Sequence, residues 1–324
     1  MTSVGVLLYV ITPAYTYRFQ SLSRRKKCWF VYVNVFIVVV RYAMDCAVIN
    51  ALRFAWKAFY LWLKSSSRMK IVVKVRGTVA LRLIENGRIV AEYGGRNDIS
   101  SAFAISIVNA MRGVSSENKF YYPDQVQLYD PNGNLIKTLT NPTISGMQAT
   151  WTDTSSQAYT VASVKIIGKN AYDTVTFEIA RKTGLNVTKQ DIQTLQVIWT
   201  VTLSGALLDP AKQIIQDCFR QGFSTRGNAN GIMLRNPDGS LALAGAADAG
   251  YPTTGTGANY AFCRVQLSFT PASDMTIRYI DAIYYTTSPQ FSLWSYQLPS
   301  DQTVTANTPY TARTEIQVPW NYSV

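Results

Sequence analysis

The most regular feature of the chain is the alternation of apolar and polar residues in short runs separated by turn residues. Val73, Val75, Val79, Leu81 and Leu83 fall on alternating positions, the period at which side chains share one face of a strand. Asn86-Gly87 interrupts this pattern before a second run that reaches Tyr93. Both residues tolerate the positive φ of a type I′ turn, so a β-hairpin is expected. The period then changes. Ile99, Phe103, Ile107 and Ala110 recur at three and four residues, with Asp98 or Ser100 as candidate cap and Gly113 as the stop, which predicts a short helix.

Strands resume after it. Residues 125–136 read as strand, Pro-Asn-Gly turn and returning strand. Trp151, Tyr159, Val161, Val164 and Ile166 mark two more strands around a polar turn at 153–157, and Val175, Phe177 and Ile179 alternate in another. Val197, Trp199, Val201 and Leu203 close the unit. The order then begins again. Asp209-Pro210 predicts a helix capped by Asp209, with Ile214, Ile215, Cys218 and Phe219 as its apolar stripe before Gly222.

Val126, Leu128, Pro131, Gly133 and Leu135 correspond to Ile232, Leu234, Pro237, Gly239 and Leu241 at a constant offset of 106. Tyr159, Val161 and Val164 match Met275, Ile277 and Ile280, and the Val197–Leu203 run matches Thr314, Ile316 and Val318. Such a slowly widening offset is what loop insertions in a duplicated fold produce. The stretch 245–257, rich in Gly, Ala and Thr, has no counterpart and is expected as an exposed tip. Short strands between polar turns, without a βαβ rhythm, predict a mainly β protein. The expected layout is two tandem β-sandwich, jelly-roll-like domains, 69–205 and 206–324, each with a short helix. A β-hairpin and a hydrophobic, helical N-terminal segment, 1–68, precede them.

Charge changes the picture only at the N-terminus. The net charge of +12 is concentrated in residues 1–68, which hold ten Lys/Arg against Asp45 alone. The body is nearly neutral, and no nucleic-acid partner is expected. Arg24-Arg25-Lys26-Lys27 precedes an apolar run from Cys28 to Val40, and a second run spans Ala47–Leu63. The first run is shorter than the ~20 residues a membrane-spanning helix needs. Three readings stand: a membrane-associated hairpin or interfacial anchor with Trp56, Tyr60 and Trp62 at the interface; a secretory signal; or a segment absent from a mature protein starting at Met69.

Chemistry is sparse. The absence of His removes the commonest general base and metal ligand. Cys28, Cys46, Cys218 and Cys263 form no CxxC pair, and no phosphate-binding, nucleophile-elbow or calcium-loop motif is present. No cofactor or metal is expected. Asp98, Asp130, Asp153, Asp209 and Asp238 are dispersed and suit turns and caps. Asn186-Val-Thr188 and Asn321-Tyr-Ser323 match a glycosylation acceptor pattern. Tyr121, Tyr122, Tyr284, Tyr285 and Trp294 are candidates for a surface contact, either with sugars or with subunits.

The hairpin Gly77–Val90, the helix after Asn97, the Asp130-Pro-Asn-Gly133 turn, Trp151-Thr-Asp-Thr-Ser-Ser156 with Tyr159-Thr-Val161, and Leu185-Asn-Val-Thr188 before Val197-Ile-Trp-Thr-Val201 together carry a resemblance. The arrangement resembles virion structural proteins of tailed phages and of viruses of thermophilic archaea, including tail, vertex and turret components. The likeness covers 77–205 best and 209–320 weakly. It implies a non-enzymatic jelly-roll protein of the virion, assembling with its own copies and with other virion proteins and contacting a host glycan or receptor. The alternative is a cell-surface carbohydrate-binding or adhesin module held by the N-terminal segment.

Overall fold

The computed structural model describes residues 70–286 and 291–324. The expectations for 1–68, Trp56, Tyr60 and Trp62 among them, lie outside the described residues. The described residues belong to one compact unit, and the repeat boundary expected at 205/206 falls inside it.

The protein is mainly β. β1 (Lys70–Val72) runs through Val73 into β2 (Lys74–Glu85), and the chain returns as β3 (Arg88–Ile99). Asn86 at φ 48° and Gly87 at φ 76° make the turn between them, the left-handed pair a type I′ hairpin requires. Helix α1 (Ser101–Arg112) follows. Its cap is Ser100, whose hydroxyl accepts from the Phe103 N–H at 3.3 Å. Asp98 is not the cap, because it still belongs to β3 and faces Arg181 across the ladder.

The first half continues with β4 (Tyr122–Tyr129), β5 (Leu135–Thr140), β6 (Thr143–Ser145), β7 (Gln148–Asp153), β8 (Tyr159–Val161), β9 (Ser163–Lys169), β10 (Thr176–Lys182), β11 (Val187–Lys189) and β12 (Thr194–Ser204). The second half holds α2 (Asp209–Gln221), β13 (Gly231–Arg235), β14 (Leu241–Ala246), β15 (Thr253–Thr256), β16 (Tyr260–Phe269), β17 (Met275–Tyr284), β18 (Phe291–Val304) and β19 (Tyr310–Pro319). Asp209 does not cap α2. Leu208 holds that place, since its N–H donates to the Leu293 carbonyl at 2.9 Å and its carbonyl accepts from Lys212. Asp209 is already helical, exposed, and 3.0 Å from Lys212.

The two halves repeat one pattern of strand pairing. In the first, β5-β4-β9-β10 and β12-β7-β6 lie in one nine-stranded sheet, joined by β3 and β2; in the second, β14-β13-β17-β18 and β1-β19-β16-β15 form separate sheets. Each half makes a hairpin, crosses to a second pair, returns beside the first strand, and ends beside the second pair. Gly133 and Gly239, the repeated turn glycines, sit at φ 83° and 85°. The halves differ in what flanks the last strand. β12 is flanked by the β2–β3 hairpin, whereas β19 receives only β1, in parallel. The 245–257 stretch is not a free tip: Gly245 ends up within β14 and Thr253–Thr256 pair with β16 as β15.

One core runs through both halves. Phe103 meets Trp199 at 5.2 Å, Phe120 at 6.1 Å and Phe219 at 6.3 Å between ring centroids, so aromatics from both halves close around α1. α1 also packs on β15, β16 and β19 of the second half, and on β10 of the first. The chain ends cross as well. Past β19, the Asn321 N–H donates to the Ile99 carbonyl at 2.9 Å and the Ser101 N–H donates to the Tyr322 carbonyl at 2.8 Å.

Candidate contact surface

Of the five expected surface aromatics, Tyr121 and Tyr122 gather with other apolar side chains at one end of the first-half sheet. Tyr121 is edge-on to Phe177 at 4.9 Å, and Phe177 is 38% exposed. Gly222, at the end of α2, lies against the Tyr122 ring and Ala171, an approach a side chain there would block. That brings Tyr172 and Phe223, both more than 40% exposed, to the same area. The Tyr172 hydroxyl donates to the Val114 carbonyl at 3.3 Å, and Lys169 stands 5.7 Å over the Tyr122 ring. The Lys119–Asp173 ion pair borders the patch. It lowers the Asp173 carboxyl to about 2, with help from Asn170 and the Val175 N–H.

Tyr284 and Tyr285 do not join this patch through any direct ring contact. Tyr284 meets Phe291 at 5.3 Å, and the Tyr285 N–H donates to Asn230 at 2.6 Å. Trp294 is a correction: it is fully buried. The ladder slips between Ala282 and Ile283, so that Ala282 faces Trp294 while Ile283 faces Ser292. The slip leaves Leu293 and Trp294 both pointing inward, where the indole N–H donates to Thr314 at 3.1 Å.

Asp153 is also not a loop residue. It ends β7, is 4% exposed, and pairs with Lys137 at 2.8 Å. Burial raises its carboxyl pKa, but Lys137, Tyr159 and Ser155 outweigh that and hold it at about 2. Next to this cluster is Lys189, which no sequence signal marked. Its ammonium is fully buried and donates to the carbonyls of Ser155, Gln157 and Gln190 at 2.5, 3.1 and 3.2 Å. Together these groups pin the 153–158 turn.

The other candidates for chemistry have structural partners. Asp281 is buried against Arg235 at 3.0 Å and Ser292 at 2.7 Å. Asp130 and Asp238 accept from the backbone of their own turns. Burial pushes the Cys218 and Cys263 thiols up to about 12, far from reactive thiolates. An open groove of about 640 Å³ holds Asp238 and Asp274, and Asp274 is engaged by the Ala306 N–H at 2.7 Å. Among the described residues no three His, Cys, Asp or Glu gather as a metal site. No described helix is long and apolar enough to cross a membrane.

The outer faces of the equivalent sheets differ in chemistry. Across β3-β2-β12-β7 the first half presents rows such as Arg96–Thr78–Thr200–Gln148 and Glu92–Arg82–Gln196–Thr152. The second half presents Lys70–Glu315–Arg264–Thr253. Glu315 there accepts from Arg264 at 2.5 Å and Gln317 at 2.6 Å, and Arg313 donates to Gln266. On the second face Arg264 and Arg313 are thus taken by Glu315 and Gln266, leaving Lys70 exposed at its edge; the first carries Lys74, Arg76 and Arg96 exposed, with no carboxylate partner among the described residues.

No family model, curated protein or solved structure matches the chain.

Proposed function

We propose that the protein is a structural component of a virus particle, a capsid vertex, turret or tail protein, built from two jelly-roll-like sandwich modules and working through assembly with its own copies and other virion proteins. The observation that supports this reading best is the repeated strand pairing around one shared core. Two stiff modules fused in this way form a building block, and its buried charges, Asp153, Lys189, Asp281 and Glu315, are spent on turns, ion pairs and ladders. Symmetric self-association is the common fate of such blocks. The aromatic patch around Tyr121, Tyr172 and Phe177 is the surface assigned to contact, because exposed clustered aromatics are the anchors on which interfaces concentrate their affinity.

Mass spectrometry of gradient-purified particles tests the proposal: peptides from 70–324 are expected at a copy number comparable to other virion proteins. Light scattering on the full chain in detergent is expected to give a discrete oligomer. Absence from the particles and a strict monomer would together overturn it. The carbohydrate-binding alternative draws on the same patch. Glycan-array binding that Phe177→Ala abolishes would favour that alternative.

A further inference from the structure

We propose that the outer face of β2 and β3 is a docking surface for the anionic headgroups of a lipid membrane, with Lys74, Arg76 and Arg96 as the contacting cations. All three are exposed. They lie on one side of the sheet, since Thr78 stands directly opposite Arg96 and alternation puts Lys74, Arg76 and Thr78 on the same face. Among the described residues no carboxylate pairs with any of the three, and Arg82, further along the same face, is taken by Glu92 at 2.7 Å. The equivalent face of the second half has the opposite design, with Arg264 closed onto Glu315. Cations left unpaired along one strand face suit an extended, diffuse anion surface better than a single pocket ligand.

The choice of occupant comes from the chain that precedes the face. The sequence ends its second apolar run at Trp62-Leu63-Lys64, just before Lys70 opens β1. That run carries the aromatic and basic residues of an interfacial anchor. A membrane that takes up such an anchor offers anionic headgroups as the complement of these cations, and each cation in contact with them adds roughly fivefold to the binding. The inference rests on the membrane-associated reading of 1–68 and not on the particle reading.

Flotation of the full chain with vesicles tests it, using phosphatidylcholine alone and phosphatidylcholine mixed with phosphatidylglycerol, at low and high salt. The wild type is expected to prefer the anionic vesicles, and salt is expected to weaken that preference. The triple variant K74Q/R76Q/R96Q is expected to lose the preference by at least tenfold while floating normally with neutral vesicles. The control K212Q/R220Q, on exposed cations of α2, is expected to change nothing. All five substitutions are at the surface, and matching thermal melts confirm intact folding. A triple variant that keeps its anionic preference overturns the inference and leaves the membrane reading of 1–68 standing. Flotation with neither vesicle type overturns both. Binding of duplex DNA that the triple variant loses, without any anionic-vesicle preference, also overturns it and assigns the face to nucleic acid.

Discussion

Helices α1 and α2 hold equivalent places in the two halves, yet their surroundings are opposite. α2 buries only Ala211, Ile214, Ile215, Cys218 and Phe219, and turns Lys212, Gln213 and Gln216 away from the core. α1 has almost no exposed side: Ala102, Phe103, Ala104, Ser106, Ile107, Val108, Ala110 and Met111 are all buried. A helix buried on nearly every side needs partners all round, and those of α1 come from β15, β16 and β19 of the other half as well as β10 of its own. The two halves therefore hold one covering helix and one central helix. The difference explains why the halves share a core.

The sharpest way to break this comparison is Phe103→Ala. Loss of a fully buried ring is expected to cost about 3–5 kcal/mol, measured by denaturant unfolding. Because α1 touches both halves, hydrogen exchange should rise in β16 and β19 as well as in β12. Faster exchange confined to the first half would show that the core is not shared. Gln216→Ala on the exposed side of α2 is the contrasting control, expected within about 0.5 kcal/mol of wild type.

Next in size is Lys189→Met, which removes the buried donor serving three backbone carbonyls and is expected to cost about 3 kcal/mol. The loss should appear first as proteolytic opening of the 153–158 turn. The Asp153 cluster gives a smaller, pH-dependent effect. A carboxylate held at about 2 stabilises the fold fully above its unfolded value near ~3.9 and loses that contribution as pH falls toward about 2, roughly 2 kcal/mol in all. Asp153→Asn should flatten that part of the acid-unfolding curve; an unchanged curve would remove Asp153 from the account. Smallest is Glu92→Gln. The Arg82–Glu92 pair is 36% and 48% exposed, so screening should hold the change to about 0.5 kcal/mol or less.

What was legible in the sequence is what neighbours in the chain decide. Asn86-Gly87, Asp130-Pro-Asn-Gly133 and the alternating runs announce their turns and strands because the geometry is local. The 106-residue repeat was visible for the same reason, as turn glycines and inward residues recurred together. Misreadings came where a distant segment decides. Leu208 became a cap because Leu293 took its N–H, and Trp294 went inside because the ladder slips beside Ala282. Of the candidate contact surface, Tyr121 and Tyr122 stand out in the sequence as adjacent aromatics, but they are partly buried against the core, and Phe177, Tyr172 and Phe223 join them only through folding. Lys189 had no signal at all, since an isolated lysine in a strand ordinarily points to water.

The pairing of β1 with β19 also sets an order of events. β1 is the first described strand to leave the ribosome, and its partners Glu315–Gln317 emerge only after every other described strand but β19 itself is complete. Until they arrive, Ile71 has no second-half sheet to cover it, and the tail that fastens onto Ser101 does not yet exist. The second half thus cannot close until β19 has emerged, and a chain stalled or truncated before Tyr310 would leave α1 exposed, a ready target for chaperones and proteases.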